Sequence, residues 1–321
     1  MEPGMEAWCR GVGPSVVYRP QASSRPVSLS ELTVVTWNVQ AGGGDIDAFV
    51  ADLRSGRLGG GATDSFILLL QEAFRGGRDV PEHPGRGVKG GRRVAPGTGE
   101  RGRSSIEEVA RRNGLHLLYV PSMRNGGPED RPEDRGNAIL STLPFGGFEA
   151  FELPLEKQRR VAVSAVVLLL SAEEEEPEVR FVNLHLDPRS AWGAFHRSLG
   201  AGRAEQAEAI EGLYGGDPLV VLGGDLNTWF GGRGEEAVRI LSEPFPQPES
   251  RGDSRTVHGP GPLPDLLLDH LFFRLPAEMS ATYTVIDDRY GSDHHPVVGR
   301  IHETLPGGPG TPRSPEREPS P

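Results

Sequence analysis

The sequence predicts a mixed α/β sandwich. Short apolar runs ending on polar residues recur through the middle of the 321-residue chain. Most are nearly continuous rather than alternating, the pattern of strands whose sheets are covered on both faces. Helical patterns sit among them, and strands outnumber helices.

Residues 1–27 carry no sustained periodicity and are expected to form a loosely ordered lead-in. Strands are predicted at residues 32–38 (Leu-Thr-Val-Val-Thr-Trp-Asn), 65–72, 137–141, 160–170, 179–186 and 218–225, with two more at 267–273 and 296–301. Helices are predicted at 202–214, where Ala204, Ala207, Ile210 and Leu213 share a face, and at 104–113, where Ser104 and Glu107 have capping-box spacing. Glu173 to Glu176 are expected to top a turn between antiparallel strands. These elements belong to one domain, 28–303. Within it, residues 75–103 form a Gly/Arg-rich insertion without periodicity, too long for an ordinary connection and therefore functional or disordered. Residues 304–321 contain six prolines and several glycines. They cannot bury enough apolar surface to offset their ordering entropy and are expected to be a disordered tail.

Composition excludes several classes. No apolar stretch reaches the roughly 18 residues that span a bilayer, and the first residues lack the basic and apolar regions of a signal peptide. Cytoplasmic residence is the default expectation, with no integral membrane segment. Cys9 is the only cysteine, which removes an internal disulfide or a cysteine-built zinc site. The net charge of −11 argues against a general nucleic-acid binder. Residues 75–112 run the other way, with ten Lys/Arg against five Asp/Glu, a local balance of +5. No phosphate-binding Gly-x-x-x-x-Gly-Lys loop and no Gly-x-Ser-x-Gly elbow occur. Arg251-Gly-Asp253 is read as a chance adhesion tripeptide in an arginine-rich chain.

The polar strand ends carry the chemistry. Val220-Val-Leu-Gly-Gly-Asp-Leu-Asn ends on Asp225-x-Asn227, an acid and an amide on one side of a strand. By itself that pair allows a metal site, a water site or a capped turn. Asn38, Gln71-Glu72, Asn183-Leu-His185, Asp269-His270 and Gly291-Ser-Asp293-His294-His295-Pro296 close other predicted strands or loops in the same manner. Singly, each has an ordinary structural reading as a turn former, a surface charge or a satisfied histidine. Six in one order are harder to explain structurally.

Together the motifs Thr-Trp-Asn38, Leu-Gln-Glu72, Gly-Asn137-Ala-Ile-Leu-Ser, Arg160-x-Ala-Val-x-Ala, Asn-Leu-His185-Leu-Asp, Gly-Gly-Asp225-Leu-Asn227, Leu-Asp269-His-Leu-Phe and Gly-Ser-Asp293-His294-x-Pro resemble those of the endonuclease/exonuclease/phosphatase superfamily across residues 32–301. The resemblance implies a DNase I-like four-layered α/β sandwich, two packed mixed β-sheets flanked by helices. It implies a metal-dependent phosphoesterase that attacks a phosphodiester or phosphomonoester in line with an activated water. Glu72, with Asn38 and Asp293, would hold magnesium, or manganese as the alternative. Asp225 would activate the water, and Asn227 would hold the water or the phosphate. His185 and His294 would donate to the phosphate, and Asp269 would orient His294. Asn137 and Arg160 are further phosphate contacts, Arg160 having a structural ion pair as its alternative reading. Tyr119 has no motif tying it to chemistry, Asp187 reads as a loop residue, and the Asp-His-x-Pro spacing selects His294 over His295. The expected partner is a phosphate-ester substrate, a small ester ahead of nucleic acid, acted on by a monomer. The competing class is a non-catalytic phosphate-binding member of the same fold.

Overall fold

The computed structural model describes residues 3–21, 27–83, 93, 103–127, 129–169, 178–188, 200–229, 232–259 and 264–304. In chain order the strands are β1 (Val16–Tyr18), β2 (Thr33–Asn38), β3 (Phe66–Gly76), β4 (His116–Arg124), β5 (Glu133–Ser141), β6 (Phe145–Glu152), β7 (Val161–Leu168), β8 (Glu178–His185), β9 (Val220–Asp225), β10 (Glu249–Ser250), β11 (Asp269–Arg274), β12 (Met279–Val285) and β13 (Val297–Glu303). The helices are α1 (Pro3–Arg10), α2 (Ile46–Ser55), α3 (Ile106–Asn113), α4 (Gly202–Tyr214) and α5 (Glu236–Ser242).

The strands form an eight-stranded sheet, ordered β1-β4-β5-β3-β2-β13-β12-β10, and a five-stranded sheet, ordered β11-β9-β8-β7-β6. Both are mixed: β2–β3 and β8–β9 are parallel, while β5 and β13 flank their partners antiparallel. Side-chain alternation explains why the runs are apolar throughout. Val34, Ile67 and Leu69 face inward and meet Val163, Phe181, Val221 and Leu271 of the other sheet. Their neighbours Val35, Trp37, Leu68 and Leu70 face outward, under Phe49, Val50 and Leu53 of α2 and Val109 of α3. Val182, Leu184 and Leu222 pack in the same way beneath Ile210 of α4 and Leu241 of α5. The result is the four-layered α/β sandwich expected from the motifs, with both sheets covered.

Several local expectations change. Helix α3 spans Ile106–Asn113 rather than 104–113, with Ser105 in place of Ser104 as its cap and no side-chain capping bond. Glu107 pairs instead with Arg111 one turn on, at 3.0 Å. The lead-in carries α1 and the edge strand β1, which pairs with β4. Its anchor is remote in sequence. A buried Arg75–Asp134 pair at 2.6 Å also accepts the Gly13 N–H on Asp134 and donates to the Pro14 carbonyl. From the basic insertion, Arg93 and Arg103 both reach Glu133, at 2.6 and 3.0 Å. Residues 84–92 and 94–102 of that insertion, the Glu173 to Glu176 turn and the tail from 305 onward lie outside the described residues.

Candidate active site

The site is assembled by strand register. His185 is the partner of Asp225 across β8–β9, Asp225 of Asp269 across β9–β11, and Asn38 of Gln71 across β2–β3. Asn38 then bridges the two sheets, its Nδ2 donating to Asp225 Oδ2 at 3.0 Å. The glycines before Asp225 let the strands close up, since a Cβ on Gly224 would sit 2.1 Å from the Leu184 carbonyl.

Asp225 lies at the centre, 2 % exposed. Its Oδ1 accepts the Asn227 N–H at 2.9 Å, while Oδ2 lies 3.5 Å from His185 Nε2 and 3.8 Å from His294 Nε2. Burial pushes its carboxyl up to about 6, against the pull of the His294 charge. His294 donates from Nδ1 to Asp269 Oδ2 at 2.7 Å. Burial opposes its charged form, but the charge and hydrogen bond of Asp269, with Asp225 and Asp293 beyond, carry its pKa up to about 10. Burial instead holds His185 well below its ordinary value, helped by the charges of Arg160, Arg135 and His294. Two imidazoles within reach of one carboxylate are thus split, His294 cationic and His185 neutral. Such divergence is how one pocket supplies both a fixed charge and a proton carrier.

Beneath the cluster, Asn183 and Gln71 join the sheets. Asn183 Nδ2 donates to the Leu70 and Ala138 carbonyls, both at 2.8 Å, and its Oδ1 accepts from Gln71 Nε2 at 2.7 Å. Asn137 is held in this layer too, its amide donating to the Val161 carbonyl at 2.9 Å. Asn227 is anchored to the Leu186 carbonyl at 3.0 Å. Among the described residues, the non-glycine positions with positive φ are Gln40, Ala41, Glu72, Asn227 and Tyr290. Each is at or within a few residues of a site residue, so the backbone strain gathers at the pocket.

The flanking arginines behave oppositely. Arg159 is satisfied by Glu152 at 2.5 Å and by the Pro121 carbonyl at 2.7 Å. Arg160, 3 % exposed, donates to the neutral Gln158 at 2.8 Å and has no carboxylate partner among the described residues. Its Nε is buried with no hydrogen-bond partner, and burial lowers its pKa. A buried guanidinium left this way is costly unless an anion completes it. Among the described residues the ion pair at this strand end is made by Arg159 and not by Arg160. Asp187 caps the loop that leads to Arg160, accepting the Lys157 and Gln158 N–H groups at 2.8 and 3.1 Å. Tyr119 is engaged by Asp134 at 2.8 Å, and His295 by the Ile286 carbonyl at 2.9 Å.

Glu72 sits where β3 is irregular, between Leu70 and Ala73, and its Oε2 accepts from Arg135 Nη1 at 2.9 Å. Sequence reasoning gives Arg135 no role, although it directly precedes the Gly136-Asn137 motif. Asp293 is exposed by surface area yet crowded: desolvation raises its pKa, and the charge of Glu72 adds to the rise. Glu72 and Asp293 thus feel each other's charge, and carboxylate oxygens are the ligand type a hard divalent cation takes. Asp225, Asp269 and His294 also bring ligand atoms within 4.8 Å of one another. In that group, however, Asp269 already holds the Nδ1 proton of His294, which fits a proton-carrying pair better than a cation cage.

In comparisons with known proteins, no curated protein matches the chain in sequence. Solved structures share its fold. An endonuclease/exonuclease/phosphatase family protein from Leptotrichia buccalis C-1013-b is 15% identical, with a TM-score of 0.56, over 84% of this chain and 99% of that one. One from Beutenbergia cavernae DSM 12333 is 20% identical, with a TM-score of 0.55, over 85% and 71%. A functionally unknown protein from Enterococcus faecalis V583 is 15% identical, with a TM-score of 0.53, over 84% and 99%. Members of this family are typically hydrolases of phosphate esters. No helix among the described residues is long and apolar enough to cross a membrane. The family profile matches residues 35–294, a span that contains Asn38, Glu72, His185, Asp225, Asp269 and His294, and the chain belongs to the endonuclease/exonuclease/phosphatase family.

Proposed function

We propose that the protein is a divalent-metal-dependent phosphoesterase that hydrolyses its substrate by in-line attack of water. The observation that carries this reading is the central carboxylate of Asp225, raised to about 6 and held between a neutral and a charged histidine. A carboxylate with that pKa takes a proton from water near neutrality better than an ordinary aspartate does. Asn38 and the Asn227 N–H fix its two oxygens, so it meets the water without reorganising. His294, kept cationic by Asp269, donates from Nε2 to a phosphoryl oxygen as negative charge grows. Neutral His185 supplies a second donor, and Arg160 completes its unmet hydrogen bonding on the same phosphate. Asn227 and Asn137 keep these groups in place through the Leu186 and Val161 carbonyls. Glu72 and Asp293, with Asn38, would hold magnesium or manganese, which supplies charge stabilisation at a phosphoryl or leaving oxygen.

The substrate is a phosphodiester or phosphomonoester, a small ester ahead of nucleic acid because the chain carries a net charge of −11. Turnover of bis(p-nitrophenyl) phosphate and p-nitrophenyl phosphate with magnesium tests the reading. Metal-dependent hydrolysis of either is expected. Binding of inorganic phosphate without turnover of any ester would point to the non-catalytic alternative.

A further inference from the structure

Arg135 is placed by three strands. β3 is irregular between Leu70 and Ala73, opposite Ala138 and Gly136, and β4 between Pro121 and Met123, opposite Gly136 and Arg135, so the two neighbours of β5 bulge on either side of Gly136. The strands pass so closely that a Cβ at Gly136 would lie 2.1 Å from the Val120 carbonyl. The bulge on β3 holds Glu72 at a φ of 53°, and its carboxylate meets Arg135 at 2.9 Å. The guanidinium is otherwise incomplete, because Arg135 Nε is buried without a hydrogen-bond partner. Arg160 Nε is in the same condition. The two arginines share one field, since the charge of Arg135 disfavours protonation of both Arg160 and His185.

Resting on the phosphoesterase reading above, we propose that Arg135 is the internal counter-ion of Glu72, displaced when a divalent cation takes that carboxylate, and that the freed guanidinium then joins Arg160 on the phosphate. A carboxylate that binds the cation gives up part of its ion pair, so cation affinity is the net of the two interactions. The released guanidinium, confined by the bulged strands, lacks an anion until phosphate arrives. Cation and phosphate therefore strengthen each other's binding by the same factor. Arg135 is a positioning residue for the cation and a direct contact for the phosphate.

Calorimetric titration of magnesium into the wild-type chain, Arg135→Gln and Arg135→Lys, each with and without inorganic phosphate, tests this. Arg135→Gln is expected to bind magnesium alone several-fold more tightly than wild type. Phosphate should strengthen magnesium binding in wild type and leave Arg135→Gln nearly unchanged, with Arg135→Lys close to wild type. In EDTA, Arg135→Gln should melt below wild type, and magnesium should close the gap. Equal or weaker magnesium binding by Arg135→Gln, in a wild-type background that hydrolyses phosphate esters, overturns the counter-ion role alone. Absence of both magnesium binding and ester turnover in wild type overturns the phosphoesterase reading and the counter-ion role together. If Arg135→Gln does not fold, wild-type magnesium affinity that phosphate leaves unchanged is sufficient to overturn the proposal.

Discussion

His294 Nδ1 and Asp269 Oδ2 are 2.7 Å apart, both side chains shielded from water, and this contact keeps the imidazole of His294 cationic up to about pH 10. Its folded pKa is above the ordinary 6.5, so the sign of the linkage is fixed. Below about 6.5 the imidazole is charged in both the folded and unfolded chain, and the pair contributes in full. Between 6.5 and 10 only the folded chain keeps the proton, and the contribution fades as pH rises. Urea midpoints should therefore fall from pH 6.5 towards 10, and Asp269→Asn should flatten that slope. An unchanged slope in the variant would contradict the assignment. Buried His270, held down to about 4, acts oppositely and costs stability as pH falls below 6.5.

Arg160 and Arg159 should separate function from stability. Arg160 has no carboxylate partner among the described residues, so a hydrophobe of similar volume in its place avoids the cost of burying the charge without breaking an ion pair there. Arg160→Met is expected to raise KM by roughly tenfold or more, in line with one lost charged contact of about 1.5–3 kcal/mol, without lowering Tm. Arg159→Met should do the reverse, losing its bonds to Glu152 and Pro121. A large Tm loss in Arg160→Met would show that its charge is structural.

Asn183 joins the two sheets through three buried hydrogen bonds. Asn183→Ala should cost about 3 kcal/mol, because it leaves buried acceptors unmet, a fall of roughly 5 °C in a chain of this size. Calorimetry would detect it, and a change below about 2 °C would mean that the layers do not depend on this bridge.

Much of this was legible in the residues, for a physical reason. Strands covered on both faces are apolar at every position, so β2, β3, β7, β8 and β9 stand out, and α4 matches its expected range of 202–214. β12 was not legible because its residues are mostly half exposed and no apolar run marks it. β6, an edge strand, contains two glycines and four partly or fully exposed acidic or aromatic positions. β1 is held by Arg75 and Asp134, far along the chain, and no local pattern could reveal that. Helix α2 did carry a signal, with Ile46, Phe49, Val50 and Leu53 on one face behind Asp45. The motifs named Asn38, His185, Asp225, Asp269 and His294; strand register brings His185, Asp225 and Asp269 together, and side-chain hydrogen bonds add Asn38 and His294. The Arg135–Glu72 ion pair is not legible in the sequence because it depends on bulges in two neighbouring strands, and bulges leave no periodic trace.

Asp225 carries the central claim, and Asp225→Asn tests it most directly. The amide keeps the shape and the oxygen that accepts the Asn227 N–H, while removing the basic carboxylate. Turnover of a generic phosphodiester with magnesium should fall by about 10²–10⁴-fold while the chain stays folded, the new NH2 giving up only the hydrogen bond from Asn38. In wild type, kcat/KM should climb with pH to a plateau whose acid limb lies no higher than about 6. Full activity in folded Asp225→Asn would contradict the account.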